Sequence, residues 1–171
     1  MRRKVLIAVA IVAAGLSAAL TFLPWVDLTD VGLPMRWTGL GTYVGDNADH
    51  YDAVWLPTTA LPGWIVLFTS VLAAAALAST TRLPWARFVA LGFALIALTT
   101  TVTCLMFPAL LVDTLQTELG AESLQSRLLV NIPVLTAQAC LAGVLLLCTA
   151  LTALTVGPRR TPPADARIRR P

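Results

Sequence analysis

The chain carries little with which to do chemistry. Its 171 residues include one histidine, three cysteines and a single lysine, and four stretches (5–26, 53–81, 88–112 and 128–158) hold no charged residue at all. Proton relays and ion paths through a bilayer rest on ionisable groups inside it, and these stretches offer none. His50 has neither a second histidine nor a thiol beside it, so the ligand set of a structural zinc site is missing. A glycine-rich phosphate loop is missing too. Catalytic groups, a metal and a cofactor all lack candidates, and the expectation is a protein that is not an enzyme. Cys104, Cys140 and Cys148 lie in apolar stretches, none in a polar loop; this excludes an extracellular disulfide framework and leaves them as small packing residues. A water-facing globule is excluded as well, because 57% hydrophobic and 12% charged residues leave too little polar surface to cover one.

What the chain does have is long apolar runs in a telling order of charge. Each charge-free stretch supplies the ~20 mostly apolar residues that a helix needs to cross ~30 Å of hydrocarbon. If the chain crosses four times, ten of its twelve Lys and Arg residues fall on one side: Arg2, Arg3 and Lys4, then Arg82 and Arg87, then Arg159, Arg160, Arg167, Arg169 and Arg170. Eight of the nine acids, all but Asp165, fall on the other. The positive-inside rule makes the basic side cytoplasmic. Arg outnumbers Lys eleven to one and Ala is abundant, as in the products of GC-rich bacterial genomes. The expected location is therefore a bacterial plasma (inner) membrane, multi-pass, with both termini cytoplasmic. The net charge of +3 serves topology and implies no nucleic-acid partner.

The expected fold is an all-α membrane protein with four transmembrane helices and a partly extended first outer loop. Its domain covers 1–158, with spans about 5–25, 62–81, 86–108 and 132–156 and outer loops 26–61 and 109–131, followed by a disordered basic cytoplasmic tail at 159–171. A signal peptide is the competing reading of the first span, given Arg2-Arg3-Lys4 and the small residues Ser17-Ala18-Ala19. The apolar run continues through Leu20, Phe22 and Leu23 to Pro24-Trp25, longer than a signal peptide needs, so retention is expected.

Lipid gives helices no hydrophobic reason to associate, so contact faces are built from small side chains. Ala10, Ala14 and Ala18 in the first span and Ser70, Ala74 and Ala78 in the second share a four-residue spacing and predict that these two spans pack together. Thr99, Thr100, Thr101 and Thr103 lie in the outer half of the third span, and Gln138 lies at the depth of Thr103 in the fourth. An amide in lipid needs a partner, so an intramembrane polar contact among Thr99, Thr103 and Gln138 is expected. The alternative is that these residues line a polar substrate path.

In the first outer loop, the segment 35–45 is rich in strand-favouring residues and punctuated by glycine, which suggests a short hairpin or extended pair over the helix ends. Its Trp37, Leu40 and Tyr43 are candidate partner-binding residues, since Trp and Tyr are favoured interface anchors; an aromatic belt at headgroup level is the plainer reading. Asp46, Asp49, His50 and Asp52 match neither the calcium-loop nor the zinc pattern and read as a solvated acidic turn. In the second outer loop, Leu111, Leu115 and Leu119 share a helical face, which predicts helical continuations of the flanking spans or a short interfacial helix. The five arginines of the tail are expected to meet anionic lipid headgroups.

Four spans, both ends inside, a long first outer loop carrying Trp37-Thr38-Gly39-Leu40 and a short second one together resemble the claudin-type arrangement. The second Trp and the paired loop cysteines of that family are missing here, so its junction-forming role does not carry over. Leu23-Pro24-Trp25 at the exit of the first helix is similar to small actinobacterial four-helix membrane proteins of undefined role. The expected function is that of a non-catalytic auxiliary or assembly subunit of a larger envelope membrane complex, such as a lipid transporter or respiratory assembly, with membrane lipids and that complex as partners. The alternative is a small oligomeric transporter or channel with a polar path near Thr99, Thr103 and Gln138.

Overall fold

The computed structural model describes residues 2–46, 56–118 and 125–154. Helix α1 spans Arg2–Leu20, α2 Pro57–Ala78, α3 Ala86–Met106, α4 Ala109–Glu118 and α5 Ile132–Leu154. All except α4 are long and apolar enough to cross a membrane. Their 19, 22, 21 and 23 residues give lengths of about 28–35 Å at ~1.5 Å per residue, which matches the hydrocarbon core. The chain is thus a multi-pass membrane protein. Each long helix packs on two others in a closed ring, α1 on α2, α2 on α3, α3 on α5 and α5 back on α1. Val5, Val12, Leu16, Phe68, Val71, Phe88, Leu95 and Leu147 are exposed around the outside, as a lipid-facing belt requires.

Two helix boundaries differ from expectation, both because of proline. The first apolar run continues past residue 20, yet α1 stops there and Pro24–Asp27 forms strand β1. Proline drives the residue before it into extended conformation and has no N–H to continue a helix. The last carbonyls of α1 accept the turn amides of Thr21, Phe22 and Leu23, and side chains add to this: Trp25 Nε1 donates to Leu20 O at 3.1 Å and Thr21 Oγ1 to Ala18 O at 2.7 Å. In the second span the helix begins at Pro57, ahead of the expected 62, and Pro62 lies inside it. Proline at the first helical position is favourable, and a further proline is tolerated in a membrane helix where neighbouring groups re-satisfy the backbone.

Strand β1 pairs antiparallel with β2, Arg36–Thr38, with Val26 opposite Trp37 and Asp27 opposite Arg36. Pro24 opposes Thr38, so Trp25 is one residue too many for the ladder and forms a bulge. The bulge breaks the in-out alternation of a strand, and both Trp25 and Val26 are fully buried. Extended bridges continue the patch on both edges, Val26 to Val130 on one and Trp37 to Tyr43 on the other. The chain before α5 is thereby stitched to the first loop, Asp27 N donating to Leu129 O at 2.9 Å and Asn131 N to Trp25 O at 2.8 Å. The expected extended pair within 35–45 is present only as the Trp37–Tyr43 bridge; the main partner of β2 is the end of the first apolar run.

The interior divides into two cores along the bundle axis. At the hairpin end, Trp25, Trp37, Tyr43 and Leu28 pack with Val66 of α2, Cys104 of α3, Leu111 and Leu115 of α4 and Leu135 of α5. At the basic end the core is Ala10, Ala13, Ala14, Ala73, Ala90 and Ala94 with Leu77, Leu145 and Cys148. The hairpin docks on α2 through two glycines. A Cβ on Gly63 would overlap the Gly39 carbonyl, and one on Gly39 would lie 2.6 Å from the Trp25 ring; only glycine permits this approach.

Candidate functional site

Between the two cores lies a polar layer. Gln138 of α5 donates from Nε2 to Ser17 Oγ of α1 at 2.6 Å, and Ser17 Oγ lies 3.0 Å from Ser70 Oγ of α2. Thr101 of α3 is also fully buried and returns its hydroxyl to Ala97 O at 2.8 Å. This corrects the expected pairing of Gln138 with Thr103. Gln138 turns toward α1 in the centre of the ring, whereas Thr99 and Thr103 lie exposed on the outside. Ser17 lies three residues beyond Ala14, on the small-residue face, and that spacing was the signal available for it. The amide is not fully satisfied: Gln138 Oε1 is buried without a hydrogen-bond partner.

Thr99 and Thr103 belong instead to a groove between α2 and α3, closed at the hairpin end by α4. Its volume is about 610 Å³, and its walls are Pro57, Thr58, Leu61 and Pro62 of α2, Thr99, Thr100, Thr103 and Cys104 of α3, and Leu110 and Leu111 of α4. The size falls within the ~300–1,000 Å³ of pockets that bury a small organic ligand. Two of the four wall hydroxyls are bound within the fold. Thr99 Oγ1 donates to Leu95 O and Ile96 O, both at 3.0 Å, a back-bond common for Thr in apolar helices. Thr58 Oγ1 donates to Leu111 O at 3.1 Å and so ties α2 to α4. Thr58 and Thr99 thus turn their hydroxyls away from the groove and into the fold. The groove suits an apolar rod lying against the bundle and does not suit an ion or a water file.

The three residues proposed for partner binding are not available for it. Trp37, Leu40 and Tyr43 are only 2%, 7% and 8% exposed, and the Trp37 and Tyr43 rings meet edge to face at 5.3 Å. A loop over helix ends must bury something to hold its shape, and these side chains are what it buries. Asp46 is exposed, and its backbone carbonyl accepts from the Tyr43 hydroxyl at 2.7 Å. Asp49, His50 and Asp52 lie outside the described residues, as does the tail. Among the described residues no three His, Cys, Asp or Glu side chains come together to hold a metal. Helix α4 follows α3 after a break at Phe107 and Pro108, with Leu111 and Leu115 buried and Asp113 exposed.

Compared with protein-family models, with curated proteins and with solved structures, the chain matches none of them. Its geometry has to carry the functional reading.

Proposed function

We propose that the chain is a non-catalytic accessory subunit of a larger bacterial plasma-membrane assembly, oriented with both termini cytoplasmic, and that the α2–α3–α4 groove receives an apolar segment of its partner. The groove is the observation that carries this reading: it is concave, open to lipid and lined by leucines, proline rings and four threonines, of which Thr58 and Thr99 keep their hydroxyls within the fold. A smaller groove of about 350 Å³ lies between α1 and α5; elsewhere the described residues pack on themselves, with an alanine-packed centre and a hairpin whose aromatic residues face inward. A transport role fits less well, because Gln138 and the pair Thr99 and Thr103 line no common path. The charge partition along the chain supports the orientation. The claudin-like topology adds no function, since the loop cysteines of that family are missing.

Affinity purification in mild detergent tests the proposal. Wild-type protein is expected to bring down one larger membrane assembly in fixed stoichiometry, and Thr103→Trp, which fills the groove, to lose that assembly while keeping its own thermal stability. Retention of the assembly by the filled variant, or solute flux by the purified protein in liposomes, would count against the reading.

A further inference from the structure

Three consecutive threonines of α3, Thr99, Thr100 and Thr101, compete for the same carbonyls. A threonine in an apolar helix ordinarily returns its hydroxyl to a carbonyl three or four residues back, as Thr69, Thr149 and Thr152 do. For Thr100 those acceptors are Ala97 O and Ile96 O, and both are taken: Thr101 Oγ1 donates to the first at 2.8 Å and Thr99 Oγ1 to the second at 3.0 Å. Each of these carbonyls also serves the helix ladder of α3, so both of its lone pairs are in use. Thr100 is left without a local acceptor.

Among the described residues, neither Thr100 nor Thr103, one turn further out, finds a side-chain hydrogen bond elsewhere. Both line the groove between α2 and α3. Thr100 is half-buried, yet its Oγ1 is not among the polar atoms sealed from outside contact, and Thr103 is exposed. An occupant of the groove therefore reaches them. A hydroxyl left in hydrocarbon without an acceptor costs free energy, and the other two hydroxyls of the wall, on Thr58 and Thr99, are already committed to backbone carbonyls. No lining side chain is Asp, Glu, Lys, Arg or His. The groove calls for an uncharged body with one hydrogen-bonding group at the level of Thr100.

We propose that the partner segment seated in the groove is a transmembrane helix carrying an Asn or Gln side chain, whose carboxamide accepts from Thr100 Oγ1 and meets Thr103. The inference rests on the accessory-subunit reading and names the chemistry of what enters the groove. Residues three apart on a helix have Cβ atoms about 5–6 Å apart, and a carboxamide, with an acceptor and a donor side by side, serves both hydroxyls at once. The ester of a lipid can only accept. The depth of the amide is fixed as well, because Thr100 lies about 9 Å of helix axis inside the end of α3 at Met106.

Synthetic transmembrane peptides of about 21 Leu and Ala residues, with Asn or with Leu about 9 Å inside each end, test this in phosphatidylcholine vesicles. Binding is read by energy transfer to the labelled full chain, at peptide-to-lipid ratios low enough to keep the peptides monomeric. Wild type is expected to bind the Asn peptide about three- to fifteenfold more tightly than the Leu peptide, the worth of one hydrogen bond between membrane helices. Thr100→Val should remove that preference without lowering the melting temperature in detergent, since its hydroxyl holds nothing within the fold. Thr99→Val should weaken it, because Ile96 O then opens to Thr100, and Thr136→Val, outside the groove, should leave it unchanged. Equal binding of the two peptides by wild type, or an undiminished preference in Thr100→Val, would overturn the proposal; if Thr103→Trp still abolished binding of both, the groove itself would stand as a docking site. Binding that ignores Thr103→Trp would remove the groove and the amide together. One phospholipid retained through detergent by wild type and released by Thr100→Val would give the hydroxyl to a lipid ester, and this too would overturn the proposal.

Discussion

The two ends of this bundle are packed by different rules. At the hairpin end the core is bulky, with Trp25, Trp37 and Leu28 among its least exposed side chains; at the basic end it is mostly alanine. Irregular loops leave wide and uneven gaps over helix ends, and large side chains fill them with the help of a hydrophobic drive from adjacent water. Deep in lipid that drive is absent. Association there gains from close backbone approach, which small side chains allow. The layer of Ser17, Ser70, Thr101 and Gln138 marks where one rule gives way to the other: on α2, α3 and α5 its members fall between residues of the two cores.

Substitutions that exchange the two rules should break the molecule in different ways. The largest effect is expected for Trp37→Ala, which empties the centre of the hairpin core. A loss of about 3–5 kcal/mol is typical of such a truncation, read as a drop in apparent melting temperature in detergent. Because Trp37 is buried, any loss of partner binding in this variant should track loss of the cap. A variant that binds weakly yet melts like wild type would return Trp37 to the interface. At the basic end, Ala90→Leu should be the damaging direction, since Ala90 is fully buried and overpacking costs about 1–3 kcal/mol. If it melts at the wild-type temperature, the alanine core is looser than described.

The polar layer gives the smallest and sharpest comparison. Ser17→Ala removes the acceptor of the Gln138 amide and leaves both ends of that side chain unpaired, whereas Gln138→Leu removes the amide and its need together. Ser17→Ala should therefore cost more, by about 0.6–1.7 kcal/mol, the range of polar contacts in membrane helices, measured on refolding equilibria in bicelles or detergent. Equal costs would mean that the bond adds no stability.

This layer also shows what the sequence could and could not reveal. Charge-free runs bounded by arginines and aspartates locate four spans, because bilayer thickness sets helix length directly. The small-residue stripes of the first two spans point to their contact, and Ser17 meets Ser70 there. Direction around the helix axis was not legible. Gln138 and Thr103 face different neighbours, because the order of helices in the ring decides which side is inward. Strand β1 was hidden for a related reason. Pro24, Trp25 and Val26 are as apolar as the helix before them, and only the pairing with β2, ten residues or more along the chain, draws them out of it. The meeting of Gly39 with Gly63 leaves no local trace at all. The groove was equally invisible, since Thr58 and Thr99 read as polar until their hydroxyls are seen bound to backbone carbonyls.

The central claim is that this concave apolar face, and not the aromatic hairpin, meets the partner. Photo-crosslinking in intact membranes tests it most directly, with a benzophenone side chain placed at Thr103 in the groove or at Val12 in the smaller groove between α1 and α5 on the opposite face. The account predicts one discrete adduct with a larger membrane protein from position 103 and none from position 12. No adduct from position 103, or the same adducts from both, would contradict it.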